Sequence, residues 1–130
     1  MNQKQNVLER FEDLVGKTLK SVDNMANERL VFTLDDGTQY MLHHYQDCCE
    51  SVEIEDIVGE LDDLVGSPIL MAEEISSVDE PAKEEYEESF TWTFYKLATI
   101  KGYVTVRWYG SSNGYYSESV DFSRCDKRWQ

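Results

Sequence analysis

The sequence predicts an α+β domain, an antiparallel sheet of about six or seven strands with one or two helices packed on one face. Three features of the chain carry that expectation. Apolar and polar residues alternate with period two around residues 29–45 and again through the last third. Apolar residues recur at helical spacing near the N-terminus and again after residue 54. Asp-Gly, Lys-Gly and Gly-Ser-Ser-Asn-Gly segments supply turn chemistry between the alternating runs. A chain of 130 residues with a hydrophobic fraction of 41% can bury one core but hardly two. Residues 1–130 therefore read as a single domain with an acidic connector at about 76–89.

In chain order, Val7, Leu8, Phe11, Leu14 and Val15 mark a short amphipathic helix, with Gly16 where a C-cap glycine would sit. Residues 17–23 alternate weakly and read as a strand. Arg29 to Leu34 then meets Thr38 to Tyr45 across Asp35-Asp36-Gly37, a tight-turn signal that predicts a hairpin. Leu30, Phe32 and Leu34 would share one face of its first strand, and Tyr40, Leu42 and His44 one face of the second. Ser51 to Glu55 reads as a short strand passing into a helix, because Ile54, Ile57, Val58, Leu61, Leu64 and Val65 follow helical offsets. Gly66 and Pro68 would end that helix, and Ile69 to Ile75 return as a strand. After the connector, Phe90 to Ile100, Tyr103 to Tyr109 and Tyr115 to Phe122 predict an antiparallel meander. Alternation places Trp92, Phe94, Ala98, Ile100, Val104, Val106, Trp108, Tyr116, Val120 and Phe122 on its core face.

The formal net charge is −14, from 26 Asp and Glu against 12 Lys and Arg. Nearly all of it lies in one stretch: Asp47 to Glu88 holds sixteen acidic residues and a single basic one, Lys83, for −15, and the rest of the chain carries +1. Such an imbalance costs stability through self-repulsion and calls for an explanation in solubility, ions or a basic partner. The expected acidic surface comprises Glu55, Asp56, Glu60, Asp62 and Asp63 on the outer face of the second helix, Glu73 and Glu74 on the next strand, and Glu84, Glu85, Glu87 and Glu88 in the connector. The same charge argues against direct binding of duplex nucleic acid, whose phosphates draw their affinity from clustered Lys and Arg. No apolar run is long enough to span a membrane, and the first ten residues lack a secretory apolar segment, so a cytoplasmic protein with no membrane contact is expected.

Three cysteines, Cys48, Cys49 and Cys125, are an odd number with two adjacent, which predicts reduced thiols rather than a disulfide framework. His43, His44, Asp47, Cys48, Cys49 and Glu50 concentrate metal-binding side chains in eight residues. Neighbours in extended chain point to opposite faces, so the best convergent set is His44, Cys48 and the distant Cys125, which would suit a structural zinc. No EF-hand loop and no glycine-rich phosphate loop occurs, and no catalytic motif is recognisable, so neither enzyme activity nor a cofactor is expected. The face of the meander opposite the core would present Tyr95, Tyr103, Arg107, Tyr109 and Tyr115, rings and a guanidinium that could stack a base and hold a phosphate.

The run from His43 to Ile69, with Asp47-Cys48-Cys49-Glu50-Ser51-Val52 at its centre, resembles a signature of a family of small uncharacterised proteins encoded by bacteriophages and prophages. The segments from Ser89 to Lys96 and from Arg107 to Val120 resemble its second half. The resemblance implies a phage context and carries no established activity. Together these readings predict a non-catalytic phage accessory protein in the host bacterial cytoplasm. It would be an anti-defence or inhibitor protein whose acidic surface engages a basic, nucleic-acid-binding site on a host protein, as a nucleic-acid mimic would. Leu70, Met71 or Tyr86 would supply an apolar anchor. The alternatives are a nucleotide-binding sponge using the Tyr and Arg face, and a zinc-stabilised module. The aromatic face would equally suit a homodimer interface.

Overall fold

The computed structural model describes residues 7–77, 81–84 and 88–125. Its strands are β1 (Leu19–Met25), β2 (Arg29–Leu34), β3 (Gln39–His43), β4 (Ser51–Val58), β5 (Met71–Ser77), β6 (Ser89–Thr99), β7 (Gly102–Ser112) and β8 (Asp121–Arg124). They form two four-stranded sheets, the first in the order β1-β2-β3-β8 and the second in the order β4-β7-β6-β5. Every strand pairing is antiparallel. Leu30, Phe32, Leu34, Tyr40 and Leu42 of the first sheet share one core with Val52, Ile54, Tyr95, Leu97, Val104, Val106 and Trp108 of the second. Antiparallel sheet is therefore correct in kind, but the single sheet with covering helices is not. Among the described residues the helical content is two single 3-10 turns, Phe11–Leu14 and Leu61–Leu64.

The N-terminal helix reduces to one turn because the residues of that stretch that enter the core, Leu8, Phe11 and Leu14, recur at intervals of three, which suits a 3-10 repeat. Val7 and Val15, which complete the helical stripe on paper, are exposed. Phe11 plugs the space between the sheets: its ring lies 6.2 Å from Phe32, 4.8 Å from Tyr95 and 5.9 Å from Phe122, centroid to centroid. The second expected helix is instead the eight-residue strand β4 followed by the second 3-10 turn. A register shift between Ile54 and Asp56 inserts an extra residue into β4. Val52, Ile54 and Ile57 all pack inward across that bulge, so the interval from Ile54 to Ile57 imitates a helical offset.

The hairpin forms as its turn chemistry requires. Gly37 takes a φ of 92° between β2 and β3, and Leu34 N–H donates to the Thr38 carbonyl at 2.8 Å. Its outer side is also covered, by a small cluster of Val31, Met41 and Cys125. The third strand of the expected meander is absent from the second sheet. After β7 the chain crosses over Gly110, where an added Cβ would lie 2.7 Å from the Glu118 carbonyl oxygen, and β8 pairs with β3 in the first sheet. Residues 113–119 do not extend because their side chains bond the backbone locally. Tyr115 N–H donates to Asn113 Oδ1 at 2.9 Å and Ser119 N–H to Ser117 Oγ at 3.2 Å. Glu118 fastens the crossing by accepting from Thr91 Oγ1 at 2.7 Å and Ser112 Oγ at 2.6 Å.

The faces of β6 are also exchanged relative to expectation. Pairing from Thr99 with Gly102 outward sets Leu97 opposite Val104, Tyr95 opposite Val106 and Phe94 opposite Arg107. Val104, Val106 and Trp108 do face the core as expected, so Tyr95 and Leu97 must join them while Trp92, Phe94 and Lys96 face outward. Ile100, assigned to the core from alternation, sits in the turn and is exposed. No helix among the described residues is long and apolar enough to cross a membrane.

Phe11→Ala should cost about 3–5 kcal/mol of unfolding free energy, since three aromatic neighbours from both sheets lose their common partner. Urea denaturation measures it, and a loss below about 1 kcal/mol would contradict the plug.

Candidate functional site

The outer face of the second sheet collects the side chains that its register turns away from the core. Trp92 and Phe94 of β6 stack 6.0 Å apart with an interplanar angle of 7°. The Arg107 guanidinium of β7 lies 4.9 Å from the Trp92 ring and 5.6 Å from the Phe94 ring. Its carboxylate neighbour, Asp56 of β4, is 3.9 Å away in a largely solvated pair. An exposed ion pair of that length contributes about 0–1 kcal/mol and a ring contact about 0.5–1 kcal/mol, so the aromatic rings hold the guanidinium at least as firmly as Asp56 does.

One end of this face is covered by residues 81–84. Trp92 Nε1 donates to the Pro81 carbonyl at 3.0 Å, and Lys83 N–H donates to the Tyr109 hydroxyl at 3.0 Å. Lys83 Nζ bonds Glu55 Oε1 at 2.6 Å and lies 5.4 Å from the Tyr109 ring centroid. Trp92 and Tyr109 are buried in consequence. The other end is open, with a cleft of about 370 Å³ lined by Val58, Phe94, Lys96, Thr105 and Arg107. Around it Tyr103, Val58 and Ile75 are 73%, 53% and 39% exposed.

The expected acidic residues frame this face rather than form a helical ridge. Glu53, Glu55 and Asp56 lie on edge strand β4, and Glu73 and Glu74 on the opposite edge strand β5. Glu60, Asp62 and Asp63 lie in the connection that runs from one edge to the other through the second 3-10 turn. Glu73 is opposite Lys96 on the outer face, whereas Glu74 accepts from the buried Tyr95 hydroxyl at 3.1 Å. Glu84 and Glu88 are exposed in the connector; Glu85, Glu87 and the proposed anchor Tyr86 lie outside the described residues. Of the other anchors, Leu70 is exposed and Met71 half-buried.

The nucleotide platform is not assembled as read from the sequence. Tyr103, Arg107 and Tyr109 do share the outer face, but Tyr95 lies in the core and Tyr115 in the crossing segment. Burial, with the Glu74 carboxylate adding to it, pushes the Tyr95 hydroxyl up beyond the ordinary phenol range. A second cleft, of about 330 Å³ beside the crossing segment, is lined by Ser76, Ser89, Thr91, Thr93, Glu74 and Glu118 among others. Several of those groups already satisfy one another or a neighbour, as in Thr91 with Glu118.

The loop after β3 is organised around Glu50. Its buried carboxylate accepts Asp47 N–H at 2.8 Å, Cys48 N–H at 2.9 Å and His44 Nε2–H at 2.7 Å. The Cys48 backbone bond, then the His44 bond, hold the carboxyl down at about 2. His44 Nδ1 faces the Ser119 carbonyl at 2.8 Å, so both ring nitrogens face oxygen acceptors and the imidazole ties this loop to the crossing segment. Gln46 Nε2 donates to the Glu50 carbonyl at 2.6 Å and to the Cys48 carbonyl at 3.2 Å. His44, Gln46 and Glu50 line a cleft of about 380 Å³ with Glu28, Ser51, Val52 and Glu53. Within this loop Cys48 and Cys49 are joined by a disulfide, which corrects the expectation of reduced thiols. The structure does not bring His44, Cys48 and Cys125 together: His44 is bonded at both nitrogens, Cys48 is bonded to Cys49, and Cys125 packs behind the hairpin. Among the described residues no group of three or more His, Cys, Asp or Glu side chains is placed to hold a metal ion.

Residues 12–122 match the family described as Domain of unknown function (DUF7448). The chain belongs to that family. The expected resemblance to an uncharacterised family is thereby met, and the match begins upstream of the segments that suggested it. Searches of curated proteins and of solved structures return no match.

Sequence reasoning missed the roles of Trp92 and Phe94, which it placed in the core, and of Glu50 as the hub of its loop. The parity of Lys96 carried a signal for the first, because a face containing Trp92 and Phe94 also contains that lysine.

Because the Glu50 carboxyl sits at about 2 in the fold against an ordinary 4.5, its contribution to stability is complete above 4.5 and is lost as pH falls toward 2. Glu50→Gln should lower stability at neutral pH and flatten the fall across that acid window. Urea midpoints measured from neutral pH to about pH 2 check this, and an unchanged acid slope would contradict it.

Proposed function

We propose that this chain is a non-catalytic binding protein that docks a basic partner protein on the outer face of its second sheet. The observation that carries the reading is the exposed Tyr103, Val58 and Ile75 around the Arg107 cleft, flanked by the carboxylates of both edge strands. An apolar and aromatic centre within a charged rim is the usual anatomy of a protein interface, where anchors supply affinity and the rim supplies encounter rate and register.

The geometry supports a modified form of nucleic-acid mimicry. Strands β4 and β5 stand three strand spacings apart, roughly 14 Å, which exceeds the Debye length of about 8 Å at physiological salt. Each edge therefore acts as its own rim, and a partner that straddles the face with basic groups on both sides of an apolar contact suits it better than a continuous groove for a phosphate backbone. The resemblance to phage-encoded proteins makes a nucleic-acid-binding defence factor of the host bacterium the natural candidate, met in the cytoplasm. The nucleotide sponge has weaker support, since the face places Glu53, Glu55, Asp56 and Glu73 around its one guanidinium and would repel phosphate.

Affinity capture from host lysate at low and high salt tests this reading. Wild-type protein should retain a basic protein, with recovery falling steeply as salt rises. Tyr103→Ala should weaken retention about tenfold without changing the melting temperature, as befits an exposed anchor. Salt-resistant capture, or no basic protein retained, would overturn the proposal.

A further inference from the structure

Cys48 and Cys49 are both exposed, in a turn that the docking face does not use. A bond between sequence neighbours closes the smallest loop the chain allows, and a disulfide restricts the unfolded chain least when its loop is shortest. This bond therefore adds little stability, and the fold does not rest on it. The turn is nevertheless closely held. Glu50, whose side chain is fully buried, fixes the amides of Asp47 and Cys48, while Gln46 fixes the Cys48 carbonyl. His44 links the same carboxylate to Ser119 in the crossing segment.

We infer that the Cys48–Cys49 pair is a thiol–disulfide exchange site, taking low-molecular-weight or protein thiols as its reductant and the corresponding disulfides as its oxidant. A thiolate attacks one sulfur of the pair, the Cys48–Cys49 bond breaks, a mixed disulfide forms, and the released sulfur takes up a proton. A second thiol attacks the mixed disulfide and expels the remaining cysteine, which is protonated in turn. Two thiols are thereby oxidised to one disulfide, and two electrons and two protons pass to the pair. Exposure of both residues gives the attacking thiolate access, and the buried Glu50 anchor holds the turn that carries them, so the bond can re-form. Cys125, buried behind the hairpin and far along the chain, takes no part.

The test equilibrates the folded wild-type chain in glutathione buffers from fully oxidised to fully reduced, quenches in acid, alkylates after unfolding and maps the labels by peptide mass. The proposal expects Cys48 and Cys49 to pass together from unlabelled to doubly labelled through one two-electron transition, with Cys125 labelled throughout. It also expects the melting temperature to stay within a few degrees across that transition, consistent with a small closed loop. Cys48 and Cys49 labelled in every buffer would overturn it, as would a lasting glutathione adduct on one of them. Resistance of the pair to reduction in the folded protein would overturn it equally. Cys49→Ser provides the second check: glutathione disulfide should then leave a stable mixed disulfide on Cys48, and failure of Cys48 to react would count against an accessible exchange site.

Discussion

The pairing of β6 with β7 is the constraint from which the rest of the structure follows. Side chains alternate along a strand, so one residue of slip would exchange every residue of β6 between core and solvent. The observed register joins Thr93, Tyr95 and Leu97 to Trp108, Val106 and Val104 inside, and leaves Trp92 and Phe94 beside Arg107 outside. Strands β4 and β5 then add on either side, which makes the acidic middle of the chain the two rims of the sheet. Core, guanidinium clamp and charged frame are consequences of one pairing.

The placement of the carboxylates has two physical effects. Edge strands expose unpaired backbone groups, and charged side chains along them discourage pairing with another chain. Glu53, Glu55 and Asp56 on β4 and Glu73 and Glu74 on β5 therefore repel a second copy that approaches edge to edge, while all of these but the inward Glu74 attract a basic surface that approaches face on. Lys83 takes up part of the field at Glu55, and Arg107 part of it at Asp56, so the rim is strongest where no cation answers it.

Much of the first sheet was legible in the sequence. Asp35-Asp36-Gly37 marked the turn between β2 and β3, and Leu30, Phe32, Leu34, Tyr40 and Leu42 alternated onto the core face, although Val31 and Met41 on the other face are buried as well. The second sheet misled where local pattern and tertiary register disagreed. A bulge turned the period of β4 into a helical offset between Ile54 and Ile57, and the interval from Leu61 to Leu64 belonged to a single 3-10 turn. In β6 both parities carry large apolar residues, so alternation alone could not choose between Trp92 with Phe94 and Tyr95 with Leu97. Only the partner strand decided. Glu50 was invisible because its role depends on backbone amides at Asp47 and Cys48, which no side-chain pattern reveals.

The register of the central hairpin is the claim on which the docking face stands, and cross-strand proton contacts measured by NMR test it most directly. The account requires Phe94 to contact Arg107 and Tyr95 to contact Val106 across the two strands. Contacts that instead pair Phe94 with Val106 would return the aromatic residues to the core, dissolve the guanidinium clamp and contradict the proposed face.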